Sequence, residues 1–237
     1  DYFQATRGGG NGDYNVIVLA PNSVQEMADF VDLAFELAFK YRNPVMILSD
    51  GVIGQMMEKV VLPPFKPRRT EEEVRKECPW ATMGRTKDRE PNILTSLELK
   101  PEVMELRNIH LQEKYQTIRD NEVRYEAQQC DDADYIIVSF GSAARIGEKA
   151  VELARAEGIK VGLFRPITLW PFPSKEIAAA AKGKKGILVS EINAGQMIQD
   201  VKLAVNGALP VEHFGRLGGI VPDPEEIVNV LKDKLMR

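Results

Sequence analysis

Short unbroken apolar runs punctuate the second half of this chain, each followed by a stretch whose apolar residues recur at helical spacing. Residues 135–140 form the first such run, β-branched and continuous, the signature of a strand buried on both faces. Gly141-Ser142 then turns the chain. Over 143–156 the residues Ala144, Ile146, Ala150, Val151, Leu153 and Ala154 gather on one helical face, and Gly158 is a stop. Residues 160–164 are a second buried strand, so 135–164 predicts a right-handed parallel βαβ unit. The segment 165–173 holds Pro166, Pro171 and Pro173 beside Trp170 and Phe172, and is expected to be a stiff loop, neither helix nor strand. Beyond it the pattern predicts a helix over 176–181, a strand over 186–190, a helix over 197–205 and a strand over 211–214. A last helix is capped by Asp223. Four strands alternating with four helices make residues 131–237 a small doubly wound α/β domain.

The first third carries the same rhythm in a shorter form. A strand is expected over 15–20, then a capping box of Ser23 and Glu26. The helix it opens has Val24, Met27, Ala28, Val31, Ala34, Phe35 and Ala38 on one face. Arg42-Asn43-Pro44 closes that helix, and 45–48 is another strand. Two strands and one helix within 1–62 are too few to close a sheet. With Asp1 as the first residue, the reading is the tail of a domain that begins upstream or is completed by another chain. Residues 63–130 differ in character: a proline-rich connector over 63–69, a short charged helix capped by Thr70 and Glu73, and irregular chain over 78–92. A long charged helix is then expected from 101 to about 128, thin in apolar residues, laid as a strap between the two domains.

Composition narrows the function classes. The chain has 237 residues, 44% apolar and 28% charged, with a net charge of −4 and cations interleaved with acids. This offers no electrostatic footprint for nucleic acid. No apolar run approaches the ~20 residues needed to cross a bilayer, no leader pattern is visible, and the expected location is cytoplasmic. Cys78 and Cys130 are too few and too far apart for a disulfide framework or a metal site, and His110 and His213 have no second ligand nearby.

Several stretches admit both a functional and a structural reading. Arg7 with Gly8, Gly9, Gly10 and Gly12 offers exposed N–H groups suited to phosphate, or is a surface turn feeding a strand. Gly141-Ser142 lacks the Gly-x-Gly-x-x-Gly fingerprint of a dinucleotide fold, so tight turning explains it better. Trp170 and Phe172 are either interface anchors or core plugs. Glu191, Asn193 and Gln196 stand at a strand's carboxyl end, where a site is built, and equally at the cap of the next helix. Arg216, between glycines, either pairs across a subunit boundary or is a solvated loop residue.

The ordered set DYFQATRGGGNGDY, VLAPNSVQE, AFELAFKYRNPVMILSD, VSFGSAARI, LFRPITLWPFP, EINAGQM and GRLGG resembles the alpha subunit of the 2-oxoacid:ferredoxin oxidoreductases. The 2-oxoisovalerate type is nearest and the 2-oxoglutarate type next. The resemblance covers essentially the whole chain, and its force lies in several separate stretches agreeing in order. It implies the C-terminal portion of a thiamine-diphosphate pyrimidine-binding domain over 1–62, a connector over 63–130, and a transketolase-C-terminal-like domain over 131–237. It also implies an enzyme of anaerobic metabolism that decarboxylates a 2-oxoacid with thiamine diphosphate and Mg²⁺. Electrons pass through iron–sulfur clusters to ferredoxin, and the acyl group goes to coenzyme A. The implied partners are a beta subunit carrying the diphosphate-binding domain, a ferredoxin-like cluster subunit and a gamma subunit. The family's cofactor-activating glutamate, its Tyr-Pro-x-Thr-Pro threonine and its substrate arginine match no residue here. This chain alone is therefore expected to bind no cofactor and to be inert. Arg7, Gly8, Gly9 and Gly10 remain the cofactor-side candidates, and Trp170, Phe172 and Arg216 the interface candidates. A scaffold that has lost catalysis is the alternative reading.

Overall fold

A computed structural model describes residues 1–8, 13–85 and 87–236. Its larger sheet is built on the apolar runs of the second half of the chain. Strands β4 (Tyr135–Val138), β5 (Val161–Pro166), β7 (Gly186–Glu191) and β8 (Val211–Gly215) pair in parallel, and β3 (Tyr125–Gln128) adds an antiparallel edge, in the order β3-β5-β4-β7-β8. Alternate side chains leave each strand on opposite faces, which makes two cores. Tyr135, Ile137, Leu163 and Leu188 pack on helices α6 (Gly141–Ala156) and α9 (Pro224–Leu235). Ile136, Val138, Phe164 and Val189 pack on α7 (Ser174–Ala180) and α8 (Met197–Val205). Helices on both faces of a parallel sheet are the doubly wound α/β arrangement.

The smaller sheet has the order β2-β1-β6, with β1 (Ile17–Leu19) parallel to β2 (Val45–Ile47) and antiparallel to β6 (Thr168–Trp170). The strand β6 is a correction: the expected irregular loop over 165–173 contains a three-residue strand, and β5 runs on through Pro166. The reason is β1's otherwise unpaired edge, which takes up the Thr-Leu-Trp backbone, while the Ala20 N–H donates to the Ile167 carbonyl at 2.8 Å. Pro166 and Pro171 flank the strand, where a missing donor costs nothing. The two strands of 1–62 thus gain a third from the far half of the chain.

Between them runs α2 (Val24–Tyr41), capped as expected by Ser23, whose hydroxyl accepts from the Glu26 N–H at 3.2 Å, and ended by Arg42 at φ 45°. A short helix, α3 (Gly51–Gln55), follows β2, and α4 (Glu71–Glu77) carries the Thr70–Glu73 capping box. Helix α5 (Pro101–Asn121) ends earlier than expected, and residues 125–128 are strand β3 rather than its last turn. Glu122 explains the break. Buried, it accepts from Lys40 Nζ at 2.7 Å, Tyr41 Oη at 2.5 Å and Arg124 Nη1 at 2.9 Å, which pulls the chain out of the helix and into line with β5. The first residues of the chain form α1 (Tyr2–Thr6), with Tyr2 buried against Phe140. Among the described residues, no helix is long and apolar enough to cross a membrane.

Candidate functional site

The doubly wound sheet has one place where consecutive connections part company. The chain leaving β4 runs through α6 towards β5, and the chain leaving β7 runs through α8 to β8 on the other side. Open α/β sheets build sites in that crevice. Here Phe140, Gly141, Ile192 and Asn193 line a cavity of about 350 Å³, closed by Asp1 and Tyr2 and by Leu48, Ser49, Asp50 and Gly51 from beyond β2. The carboxyl ends of three parallel strands from two sheets converge on it.

Asp50 lines it with a carboxylate that is already fully engaged. The Oδ1 atom accepts the Val52 and Ile53 N–H groups at 3.0 Å each, capping α3. The Oδ2 atom accepts the Ser142 N–H at 2.9 Å, at the start of α6. Gly141 sits there at φ +61°, and a Cβ on it would lie 3.0 Å from Asp50 Oδ2. The positive end of α6, which could have faced an anion, already holds a carboxylate from the chain itself.

A second cluster sits at the start of α8. Asp200 is 9% exposed; its Oδ2 accepts the Tyr2 hydroxyl at 2.6 Å, and its Oδ1 pairs with Arg7 Nη2 at 2.9 Å. Burial first, and then the Asp200 charge, push the Tyr2 phenol far above its ordinary value, so it stays a donor. Glu191, 1% exposed, caps α8 by accepting the Gln196 and Met197 N–H groups on Oε2 and the Ile198 N–H on Oε1. Asn193 Oδ1 accepts from Gly195 and Gln196, and Gln196 Oε1 accepts the Phe3 N–H. Capping therefore uses Glu191 and Asn193, while Gln196 ties α1 to α8.

Of the residues singled out from the sequence, Arg7, Trp170 and Phe172 come together. They line one cleft of about 370 Å³ with Arg119, Lys175 and Asp200. Trp170 is 8% exposed, edge-on to Tyr115 at 5.6 Å and beneath the Arg119 guanidinium at 5.5 Å, so its ring is part of the chain's own core. Phe172 is partly buried against the same core. Gly8 needs its φ of +75°, because a Cβ would meet the Tyr14 carbonyl oxygen at 2.5 Å. Gly9 and Gly10 lie outside the described residues. Arg216 stands apart from this cleft and pairs with Glu226 of α9 at 3.5 Å. His213 lies 3.8 Å from Glu191, and burial pushes the Cys130 thiol up to about 11.

Sequence reasoning passed over Asp50, Asp200 and Arg165. Each had a visible signal: an acid before a glycine after a strand, an acid inside the apolar helix MIQDVKLAV, and an arginine inside the buried run GLFRP. These groups offer no site for the implied cofactor's diphosphate or metal ion. Among the described residues no three His, Cys, Asp or Glu side chains are placed to hold a metal, and Asp50 fills the helix end that would otherwise face a diphosphate. Two cysteines are also too few for the four thiolates of an iron–sulfur cluster.

Comparison with known proteins supplies the family. Residues 1–127 match the model of the pyruvate flavodoxin/ferredoxin oxidoreductase thiamine-diphosphate-binding region, and 133–227 that of pyruvate:ferredoxin oxidoreductase core domain II. The ketoisovalerate oxidoreductase subunit VorB of Methanothermobacter marburgensis is 46% identical over 98% of this chain and 64% of its own length. The 2-oxoglutarate synthase subunit KorA of the same organism is 36% identical over 97% of this chain and 66% of its own. This chain thus spans just under two thirds of the curated relatives it matches. The solved 2-oxoglutarate:ferredoxin oxidoreductase from Magnetococcus marinus superposes with a TM-score of 0.70 at 25% identity, over 98% of this chain and 44% of that one. A split-gene transketolase at 14% identity and a TM-score of 0.52 shares the fold. With two family models in tandem over a fold that its solved relative reproduces along almost the whole length, the chain belongs to the 2-oxoacid:ferredoxin oxidoreductase family.

Proposed function

We propose that the chain is the larger part of the alpha-type subunit of a thiamine-diphosphate-dependent 2-oxoacid:ferredoxin oxidoreductase whose substrate is 2-oxoisovalerate. The observation that carries the substrate is the gap between 46% identity to a ketoisovalerate subunit and 36% to a 2-oxoglutarate subunit of the same organism, over nearly the same span. In this reading residues 1–62 belong to the pyrimidine-binding domain, 63–130 connect, and 131–237 form the transketolase-C-terminal-like domain. The cofactor supplies the carbanion chemistry that decarboxylation needs. A beta subunit would bring the diphosphate and Mg²⁺ site. Cluster-bearing and gamma subunits would carry electrons to ferredoxin, coenzyme A would take the acyl group, and the assembly would work in the cytoplasm. This chain's share is positional: the α1 to α8 ties through Asp200 and Gln196 hold the Arg7 and Gly8 turn against the C-terminal half, where it can face the cofactor side of the complex.

The solved relative has 2-oxoglutarate, coenzyme A and succinyl-CoA bound, which makes 2-oxoglutarate the second substrate to test. Anaerobic, coenzyme-A-dependent dye reduction by the chain assembled with its neighbouring subunits separates the readings. Preference for 2-oxoisovalerate supports the proposal, and preference for 2-oxoglutarate or pyruvate keeps the reaction and discards the substrate. An assembled complex holding its clusters yet inactive on all three would make the chain a scaffold.

A further inference from the structure

Between α3 and α4 the chain runs from residue 56 to 70 without helix or strand, yet on a fixed course. Met56 at φ −70°, ψ 142° and Thr70 at φ −68°, ψ 160° bracket the stretch in polyproline II geometry, and Pro63, Pro64 and Pro67 fix φ inside it. Three contacts staple it along the outer side of α2. The Val61 N–H donates to Gln25 Oε1 at 2.8 Å, and the Val61 carbonyl accepts from Gln25 Nε2 at 3.0 Å. Lys66 Nζ pairs with Asp32 at 3.1 Å and Glu36 at 3.7 Å, and the Arg69 guanidinium lies 5.3 Å from the centre of the Phe39 ring. The lengths agree with an extended chain. At ~3.1 Å per residue, 61 to 69 spans about 25 Å, against about 21 Å of helix axis from 25 to 39. The connector is a nearly taut rail.

Three residues make one turn of a polyproline II helix, so 63, 66 and 69 share one face and 62, 65 and 68 another. Lys66 and Arg69 mark the first face as the one turned to α2. The second is turned away. Leu62 is 75% and Phe65 89% exposed, and Arg68, also exposed, makes no ion pair among the described residues. One exposed leucine is ordinary. Here two large apolar side chains and a cation stand at equal spacing on a backbone that is already ordered. Apolar grooves recognise proline-rich segments for that reason, since binding them costs little conformational entropy.

We propose that residues 62–68 are a recognition segment for a companion subunit. Its groove would offer two apolar pockets about 9 Å apart, for Leu62 and Phe65, and a carboxylate about 9 Å further on for Arg68. Arg68 finds no acid on its own chain, which calls for one on the partner. A protein groove is the occupant because the curated relatives are oxidoreductase subunits. The inference rests on the reading of this chain as a subunit and on no particular 2-oxoacid. Its test reads contact and affinity, whereas the activity test reads dye reduction, so either can fail alone.

The test replaces Phe65 by photoreactive p-benzoylphenylalanine in the full chain, co-purifies it with its neighbouring subunits and irradiates the assembled complex. The expected result is a crosslink to one companion subunit, in an apolar groove that holds an aspartate or glutamate. L62S/F65S should raise the dissociation constant for that subunit about tenfold or more and leave the melting of the chain by itself unchanged, because both side chains stand in water. R68E should weaken binding several-fold at low salt and far less at high salt, where the parent's ion pair is already screened. A crosslink to a second copy of this chain would assign the rail to self-association and overturn the proposal. So would the absence of a companion crosslink together with parent-like affinity in L62S/F65S.

Discussion

Arg165 offers the sharpest test of how the two halves of the chain are joined. It is 1% exposed inside β5, yet its guanidinium spans three elements. Nη1 and Nη2 bind the Glu26 carboxylate of α2 in a fork at 2.8 and 2.7 Å, and Nε reaches Glu126 of β3 at 3.0 Å. Burial works against its charge, and the Glu26 and Glu126 carboxylates more than restore it, so its pKa stands above the ordinary value. Removing one partner of a fully buried pair costs about 3–5 kcal/mol because the other is stranded. Here Glu26 is 20% and Glu126 43% exposed on their side chains, so water shares the solvation, and about 2–3 kcal/mol is expected for R165M. With a urea slope of about 2–3 kcal/mol/M, the midpoint should fall by roughly 1 M. E126Q, at the exposed end, should cost under about 1 kcal/mol. The R165M/E26Q double variant should show a coupling of about 1–2 kcal/mol. An R165M midpoint within error of the parent, or strict additivity with E26Q, would refute the claim that this fork fastens α2 to the larger sheet.

Three further outcomes follow from the sites above. E191Q places an amide donor against one of the three N–H groups that cap α8, so it should destabilise by about 2 kcal/mol and speed exchange at Met197 and Ile198; unaltered exchange there would contradict the capping role. Burial holds the His213 imidazole below its ordinary value, with the Glu191 carboxylate opposing and Lys234 and Lys202 adding to the shift. The unfolded chain then binds the extra proton first, so this contribution is whole above about pH 6.5 and is lost as pH falls towards the folded-state value; H213Q should flatten the stability slope between pH 7 and 5, and a parent-like slope would disprove it. G141A forces a side chain to φ +61° beside Asp50 Oδ2 and should lower stability by about 1–2 kcal/mol, a drop of a few degrees in melting temperature; a neutral result would mean that the turn relaxes.

The larger sheet was legible because three of its parallel strands, β4, β5 and β7, are buried on both faces, which writes an apolar run into each of them, while β8 at the edge is half-buried and carries Glu212 and His213. The caps at Ser23, Thr70 and Asp223 were legible for a local reason: donor and acceptor are three residues apart. Residues 125–128 and 168–170 were not. Each is a short edge strand whose partner is fixed by distance in space, Tyr125 opposite Pro166 and Trp170 opposite Val18. Prolines around β6 point locally to a loop, and only the unpaired side of β1 overrides them. The site residues divide the same way. Glu191 and Asn193 act on N–H groups within seven positions, whereas Asp50 reaches Ser142 across 92 residues and Asp200 reaches Tyr2 across 198. No spacing rule spans such separations.

These long-range ties also set how firmly α2 is held. Its first turn is held by Glu26 on Arg165, and its last turn by Lys40 and Tyr41 on the buried Glu122. The start of the helix has two more ties: Asn22, just before it, bonds Glu148, and Glu58, which accepts the Val24 N–H, pairs with Arg145. The helix is therefore fixed to the C-terminal half at both ends while Val31 and Phe35 in its middle stay in water. R165M should accordingly loosen the first turn of α2 while Glu122 still holds its last, so amide exchange should speed up near Glu26 and change little near Lys40; equal exchange at both ends would contradict this.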